Sequence, residues 1–139
     1  MAWQPGKSYY EDRVEEALIR LSGASPLCSD YRYNRSTWFS GRLRYDFVLG
    51  SRPRFDPSCG FYSFPNNVQL IEVHGEQHYR LDYSGNDAIK KRLAIDHGCP
   101  LLVIPYWEAY RLSDELLELI SSFVRAGDMP DRKKDPIAS

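Results

Sequence analysis

Three consecutive stretches restrict this chain's fold more than any other feature. They are NVQLIEVHG from Asn67 to Gly75, DAIKKRLAIDHG from Asp87 to Gly98, and PLLVIPYW from Pro100 to Trp107. The first and third have the make-up of strands, and the second that of a helix ended by Gly98. A strand, a helix and a second strand in that order predict a parallel pair joined by a right-handed crossover. In the first strand Gln69, Ile71 and Val73 face one way, and Val68, Leu70, Glu72 and His74 the other. The second of these faces begins apolar and turns polar only at Glu72. That predicts a strand buried on both faces at its start and opening onto a site at its end. The nearly unbroken apolar run of PLLVIPYW predicts another strand buried on both faces.

The remaining segments build around this unit. SYYEDRVEEALIRLSG predicts a first helix, with Ser8 as N-cap, Glu11 completing a capping box, and Val14, Ala17, Leu18 and Leu21 as its apolar stripe. Residues 27–33 suit a short strand. RLRYDFVLG predicts a strand with Leu43, Tyr45, Phe47 and Leu49 on one face and Asp46 at its middle on the other. The stretch from Gly50 to Asn67, rich in Pro, Gly, Ser and Asn, is expected to be a long connection. Ser113 is placed to cap a last amphipathic helix, DELLELISSFV. The expected fold is α/β, with a mixed four- to five-stranded sheet flanked by helices in the order α-β-β-β-α-β-α. Residues 1–127 form one domain in this reading, and the polar end, 128–139, is expected to be disordered.

Charge narrows the function classes. A formal net charge of −1 argues against a protein that coats nucleic acid by bulk charge. Between Tyr31 and Phe55, however, lie Arg32, Arg35, Arg42, Arg44, Arg52 and Arg54 against Asp46 as the only acid, with Tyr31, Tyr33, Trp38, Phe39, Tyr45 and Phe47 interleaved. Arginine interleaved with aromatics suits phosphate contact and base stacking, and equally a twisted hairpin whose arginines pair with acids elsewhere. No apolar run reaches the roughly 20 residues of a membrane helix. The first residues lack the layout of a signal peptide, so an intracellular rather than secreted protein is expected. Cys28, Cys59 and Cys99 supply neither a disulfide framework nor a CxxC knuckle, and leave open a zinc site built with the histidines.

The chemistry concentrates in IEVHGEQHY, residues 71–79. Asp46 and Glu72 on neighbouring strands would present two carboxylates that repel each other unless a cation joins them. Oxygen ligands of this kind suit Mg²⁺. His74 lies on the Glu72 face, and His78 follows the Gly75 turn and can reach back over the same site. A lone acid or histidine is more often solvated or salt-bridged. The conjunction is what points to function.

RYDFVL, then IEVHGEQHY, then DAIKKRLAIDHGCPLLVIPYW together resemble the PD-(D/E)xK nuclease superfamily. Within it, the branch of very-short-patch-repair endonucleases and EDxHD homing endonucleases is the nearest likeness. The likeness runs from Glu11 to about Trp107. It implies a restriction-endonuclease-like core and an Mg²⁺- or Mn²⁺-dependent endodeoxyribonuclease, prokaryotic or encoded by a virus or phage. It implies Asp46, Glu72 and His78 as metal residues, and Glu11, Gln77, His74 and Asp87 as further site residues. Lys90 or Lys91 would supply the positive charge. His74 departs from the pattern, since the branch usually has aspartate there and the wider superfamily lysine. DNA is the implied partner, with RNA open, and sequence specificity would need a homodimer or a protein partner. The competing expectation is a catalytically inactive nuclease fold acting as a binding or assembly module.

Overall fold

The computed structural model describes residues 8–23, 25–29, 31–33, 44–51, 54–64, 67–83 and 85–128. Its elements run α1 (Tyr9–Leu21), α2 (Pro26–Ser29), β1 (Arg32–Tyr33), β2 (Phe47–Leu49), β3 (Arg54–Asp56), β4 (Phe61–Ser63), β5 (Gln69–His74), a 3₁₀ turn (Glu76–Tyr79), α3 (Asp87–Asp96), β6 (Leu101–Pro105), α4 (Tyr106–Arg111) and α5 (Asp114–Asp128). A mixed four-stranded sheet in the order β1-β2-β5-β6 carries the fold, and β3-β4 form a separate two-stranded sheet. The pairs β1-β2 and β2-β5 are antiparallel, and β5-β6 is parallel, joined through α3 as the sequence pattern requires.

Two apolar layers sandwich the sheet. On one face Phe47, Leu49, Ile71, Val73 and Ile104 pack against Val14, Ala17 and Leu18 of α1 and Leu116, Ile120 and Val124 of α5. On the other, Val48, Val68 and Leu70 pack with Tyr45, Ala94 of α3 and Cys99. The alternation expected along β5 is therefore observed. Helix α1 starts where its cap was expected, with Ser8 Oγ accepting from the Glu11 amide at 3.1 Å. Ser113 Oγ accepts from the Leu116 amide at 3.2 Å and starts α5 in the same way.

Several expectations are corrected. Strand β2 begins only at Phe47, and Asp46 sits in the bend before it, not at mid-strand. The bend carries Tyr45 to the α3 side, where its hydroxyl donates to the Lys90 carbonyl, so Tyr45 does not share a face with Phe47. Of residues 27–33, 27–29 belong to the short helix α2 and Arg32–Tyr33 are extended. The long connection contains the β3-β4 hairpin. It leaves the sheet at Gly50, whose φ is 101° and where a Cβ would stand 2.3 Å from the Asn67 carbonyl oxygen. Only glycine suits that corner.

The apolar run PLLVIPYW is not a strand buried on both faces. Strand β6 lies at the sheet edge with Val103 40% exposed, and Tyr106 and Trp107 open helix α4. A continuous apolar run cannot by itself separate a central strand from an edge strand that passes directly into a helix. Helix α5 continues to Asp128, past the expected domain end at 127. Residues 129–139 lie outside the described residues. No helix among the described residues is long and apolar enough to cross a membrane.

Candidate active site

The site forms where β2 begins and β5 ends. Phe47 is opposite Ile71, so the next step along the antiparallel pair brings Asp46 beside Glu72. Their side chains interlock with each other's backbone. Glu72 Oε1 accepts from the Asp46 amide at 3.0 Å, and Asp46 Oδ2 accepts from the Val73 amide at 2.7 Å. The other oxygen of Glu72 takes the Lys90 ammonium at 3.1 Å. With Glu72 only 3% exposed, this is a buried ion pair tying α3 to β5.

These contacts set the titration of the two acids. Burial, then the nearby charges of Glu72 and Glu11, push the Asp46 carboxyl up to about 8. Burial also raises Glu72, against the opposing pull of Lys90. Asp46 Oδ1 accepts no hydrogen bond from a described side chain or amide. No buried side-chain oxygen among the described residues lacks a partner, so Oδ1 must open to the cleft beside it. That cleft, about 300 Å³, is lined by Asp46, Glu72, Lys90, Glu11, Gln77 and His78 among others. Glu11 reaches it from α1, and its Oε2 accepts from the Tyr33 hydroxyl at 2.6 Å.

The two histidines hold the other wall. The 3₁₀ turn after Gly75 brings His78 back over His74, and the imidazoles stack with centroids 4.1 Å apart and planes 6° from parallel. His78 Nδ1 lies 3.0 and 3.1 Å from the two oxygens of Asp87, at the first turn of α3. Tyr83 donates to the same carboxylate at 3.0 Å. Burial raises Asp87, but the hydrogen bonds from His78 and Tyr83 outweigh it and hold the carboxyl below its ordinary value. Burial pulls His74 below the ordinary imidazole value although Asp87 lies 3.7 Å away. A carboxylate at this distance accepts from His78 Nδ1–H, and in that tautomer Nε2 is the acceptor nitrogen of a ring lining the cleft.

The structure therefore brings together Glu11, Asp46, Glu72, Gln77, His78 and Lys90 in one cleft, with His74 and Asp87 directly behind. Lys91 does not join them. It is exposed and lines a neighbouring depression with His74, Asp87 and Val103. The basic segment is not a wall of this cleft as far as it is described. Arg32 Nη1 donates to the Gly50 carbonyl at 2.7 Å, and Arg44 and Arg54 are exposed away from it. Arg35, Arg42 and Arg52 lie outside the described residues. The cysteines take no part in the metal-capable cluster found among the described residues.

Sequence reasoning missed three tyrosines that hold the site. Tyr83 braces Asp87, Tyr33 binds Glu11, and Tyr10 donates to Glu76 at 2.8 Å, tying α1 to the turn that carries His78. Nothing in their spacing marks them in a chain with ten tyrosines. A scan of protein-family models, a search of curated proteins and a search of solved structures each found no match. The geometry of the cleft must carry the functional reading.

Proposed function

We propose that this chain is a metal-dependent phosphodiesterase of the restriction-endonuclease-like class, cleaving DNA. The supporting observation is the convergence on one cleft of the buried acids Asp46 and Glu72, the Lys90 ammonium, and a histidine oriented by Asp87. The donor set fits a hard cation: Asp46 keeps an oxygen open to the cleft, Glu11 adds a carboxylate, and the burial and nearby acids that raise Asp46 are what a divalent ion would offset. Asp46 and Glu11 would hold it, with Glu72 joining through Oε2 if Lys90 turns toward substrate. Mg²⁺ or Mn²⁺ supplies Lewis acidity toward a phosphate oxygen and acidifies a bound water.

The chain's own groups do the rest. His78 Nε2 accepts the proton of the attacking water, while Asp87, braced by Tyr83, stabilises the imidazolium that results. The stacked ring of His74 limits how His78 can turn. Lys90, which lines the cleft, would meet the negative charge that grows on the phosphate. Beside the cleft, Tyr10 begins a connected run of rings through Tyr106 to Tyr79 and Trp107, a surface suited to stacking on bases.

The test is nicking of supercoiled plasmid with Mg²⁺ or Mn²⁺, beside a labelled RNA of the same sequence. Cleavage should require the metal and disappear in Asp46→Asn. A second reading, a non-catalytic binding or assembly module on the same fold, draws on the fact that both oxygens of Glu72 already have partners. It predicts DNA binding with no metal-dependent product.

A further inference from the structure

His74, His78 and Asp87 offer two imidazoles and one carboxylate, a different donor set from the carboxylates Asp46, Glu72 and Glu11. One ligand atom from each lies within 4.8 Å of the others. His74 Nε2 is 3.7 Å from one oxygen of Asp87, and His78 Nδ1 is 3.0 Å from the other. Donors around a tetrahedral zinc stand roughly 3.3 Å apart, given metal–nitrogen and metal–oxygen bonds near 2.0 Å. These two separations fall on either side of that value, and the two imidazole nitrogens lie within 4.8 Å of each other. Two imidazole nitrogens and one carboxylate suit Zn²⁺, Co²⁺ or Ni²⁺, whereas Mg²⁺ favours oxygen donors. A way in exists through a depression of about 190 Å³ lined by His74 and Asp87 together with Glu72, Lys90 and Lys91.

We propose that these three residues form a second cation site, selective for a zinc-class ion, and that occupying it disables His78 as a base. The consequence for turnover rests on the phosphodiesterase reading; the cation site does not. The nitrogen that now faces Asp87 is Nδ1, so Nδ1 is the ligand atom. An ion taking that position displaces the Nδ1 proton, and the neutral ring carries its single proton on Nε2 instead. The nitrogen that would have accepted a proton from water becomes a donor. The proton count is unchanged, and only the tautomer moves.

The stacked rings specify how binding must proceed. With the imidazoles nearly parallel and 4.1 Å apart, an ion midway would lie about 2 Å out of both planes, too far for lone-pair overlap. The rings must hinge open toward Asp87, which breaks the stack and loosens the bond from Tyr83. A fourth ligand, water, completes the shell.

The full-length, metal-free protein decides this without any cleavage assay. Titration with Co²⁺ should give a tetrahedral-type visible absorption band saturating at one equivalent. Zn²⁺ should bleach the band and millimolar Mg²⁺ should not. His74→Ala and Asp87→Asn should each remove the band and weaken Zn²⁺ binding by at least about 100-fold, the upper end of the loss caused by removing even an outer partner. Asp46→Asn and Cys59→Ser should leave it intact. If His74→Ala proves unfolded by circular dichroism, Asp87→Asn carries the same expectation. Long-range proton–nitrogen correlations of His78 should show the proton on Nδ1 without the ion and on Nε2 with Zn²⁺. No band, or a band that survives both ligand substitutions, overturns the site. An Nε2 that stays unprotonated in the zinc form overturns the disabling of His78. Failure to nick DNA, with band and tautomer shift present, overturns the phosphodiesterase reading alone.

Discussion

Asp46→Asn separates the cost of the site from its use. In the metal-free fold the Asp46 carboxyl holds its proton up to about 8, against an ordinary value of 3.8. Each pH unit corresponds to about 1.4 kcal/mol, so keeping it ionised at pH 8 costs up to about 5 kcal/mol. Burial of the charge comes first among its causes and the repulsion from Glu72 second, so neutralising Asp46 should release a cost on the order of 2–3 kcal/mol. The amide preserves the acceptor for the Val73 amide, 2.7 Å away in the wild type, so no hydrogen bond is lost. The sign follows from the raised value. The folded state holds this proton more tightly than the unfolded chain does. Its contribution is therefore complete below the unfolded value, 3.8, and lost as pH rises through about 8. In EDTA at pH 8 the variant should melt about 10 °C above wild type, at about 3–5 °C per kcal/mol for a domain of this size. At pH 5 the gap should shrink to below about 1 kcal/mol. Adding Mg²⁺ should raise the wild-type melting temperature and leave the variant unmoved. Scanning calorimetry from acid to alkaline pH, with and without metal, reads all of this. Equal melting at pH 8 in EDTA, or a gap that widens in acid, would refute the account of Asp46 as a carboxylate strained for a cation.

Three further outcomes test the surroundings. His78→Ala should lower kcat by roughly 10²- to 10⁴-fold while DNA affinity, measured in Ca²⁺, stays within about twofold, and Tyr83→Phe should give a smaller loss in the same direction. Lys90→Met leaves Glu72 buried without its ammonium and should cost about 3 kcal/mol in urea unfolding at neutral pH, a loss that a second change, Glu72→Gln, should largely restore. The arginines should divide by environment: Arg44→Ala with Arg54→Ala should flatten the salt dependence of DNA binding by about two and leave the melt alone. Arg32→Ala, which removes the donor to the Gly50 carbonyl, should instead lower the melting temperature.

What the sequence made legible was whatever repeats with a period. Alternation along Gln69–His74 put Ile71 and Val73 against α1 and α5, and Leu70 and Glu72 toward α3, as the sheet does. The same rule failed at Tyr45. A bend at Asp46 is a single-residue event, and no alternation can announce it. Without that bend Asp46 would point from mid-strand, and its amide would sit in the ladder where Glu72 Oε1 now meets it. The candidate site was legible as a set of residues because acids, histidines and lysine are few and carry their chemistry with them. Its wiring was not. Nothing in one dimension says that Lys90, not Lys91, turns inward. On α3, adjacent side chains lie about 100° apart, and only the position of β5 selects between them. Nor could His74 be read correctly in isolation. As a substitute for an expected aspartate or lysine it looked like a defect in the site. In place it is the ring on which His78 rests, beside the carboxylate that orients His78. Positive charge reaches this corner from the helix, at Lys90, on the same Glu72 oxygen that His74 Nε2 approaches to 4.0 Å. Under the proposed phosphodiesterase reading, the charge from α3 and the stacked ring at the strand end are two parts of one arrangement, the second holding His78 in register with Asp87.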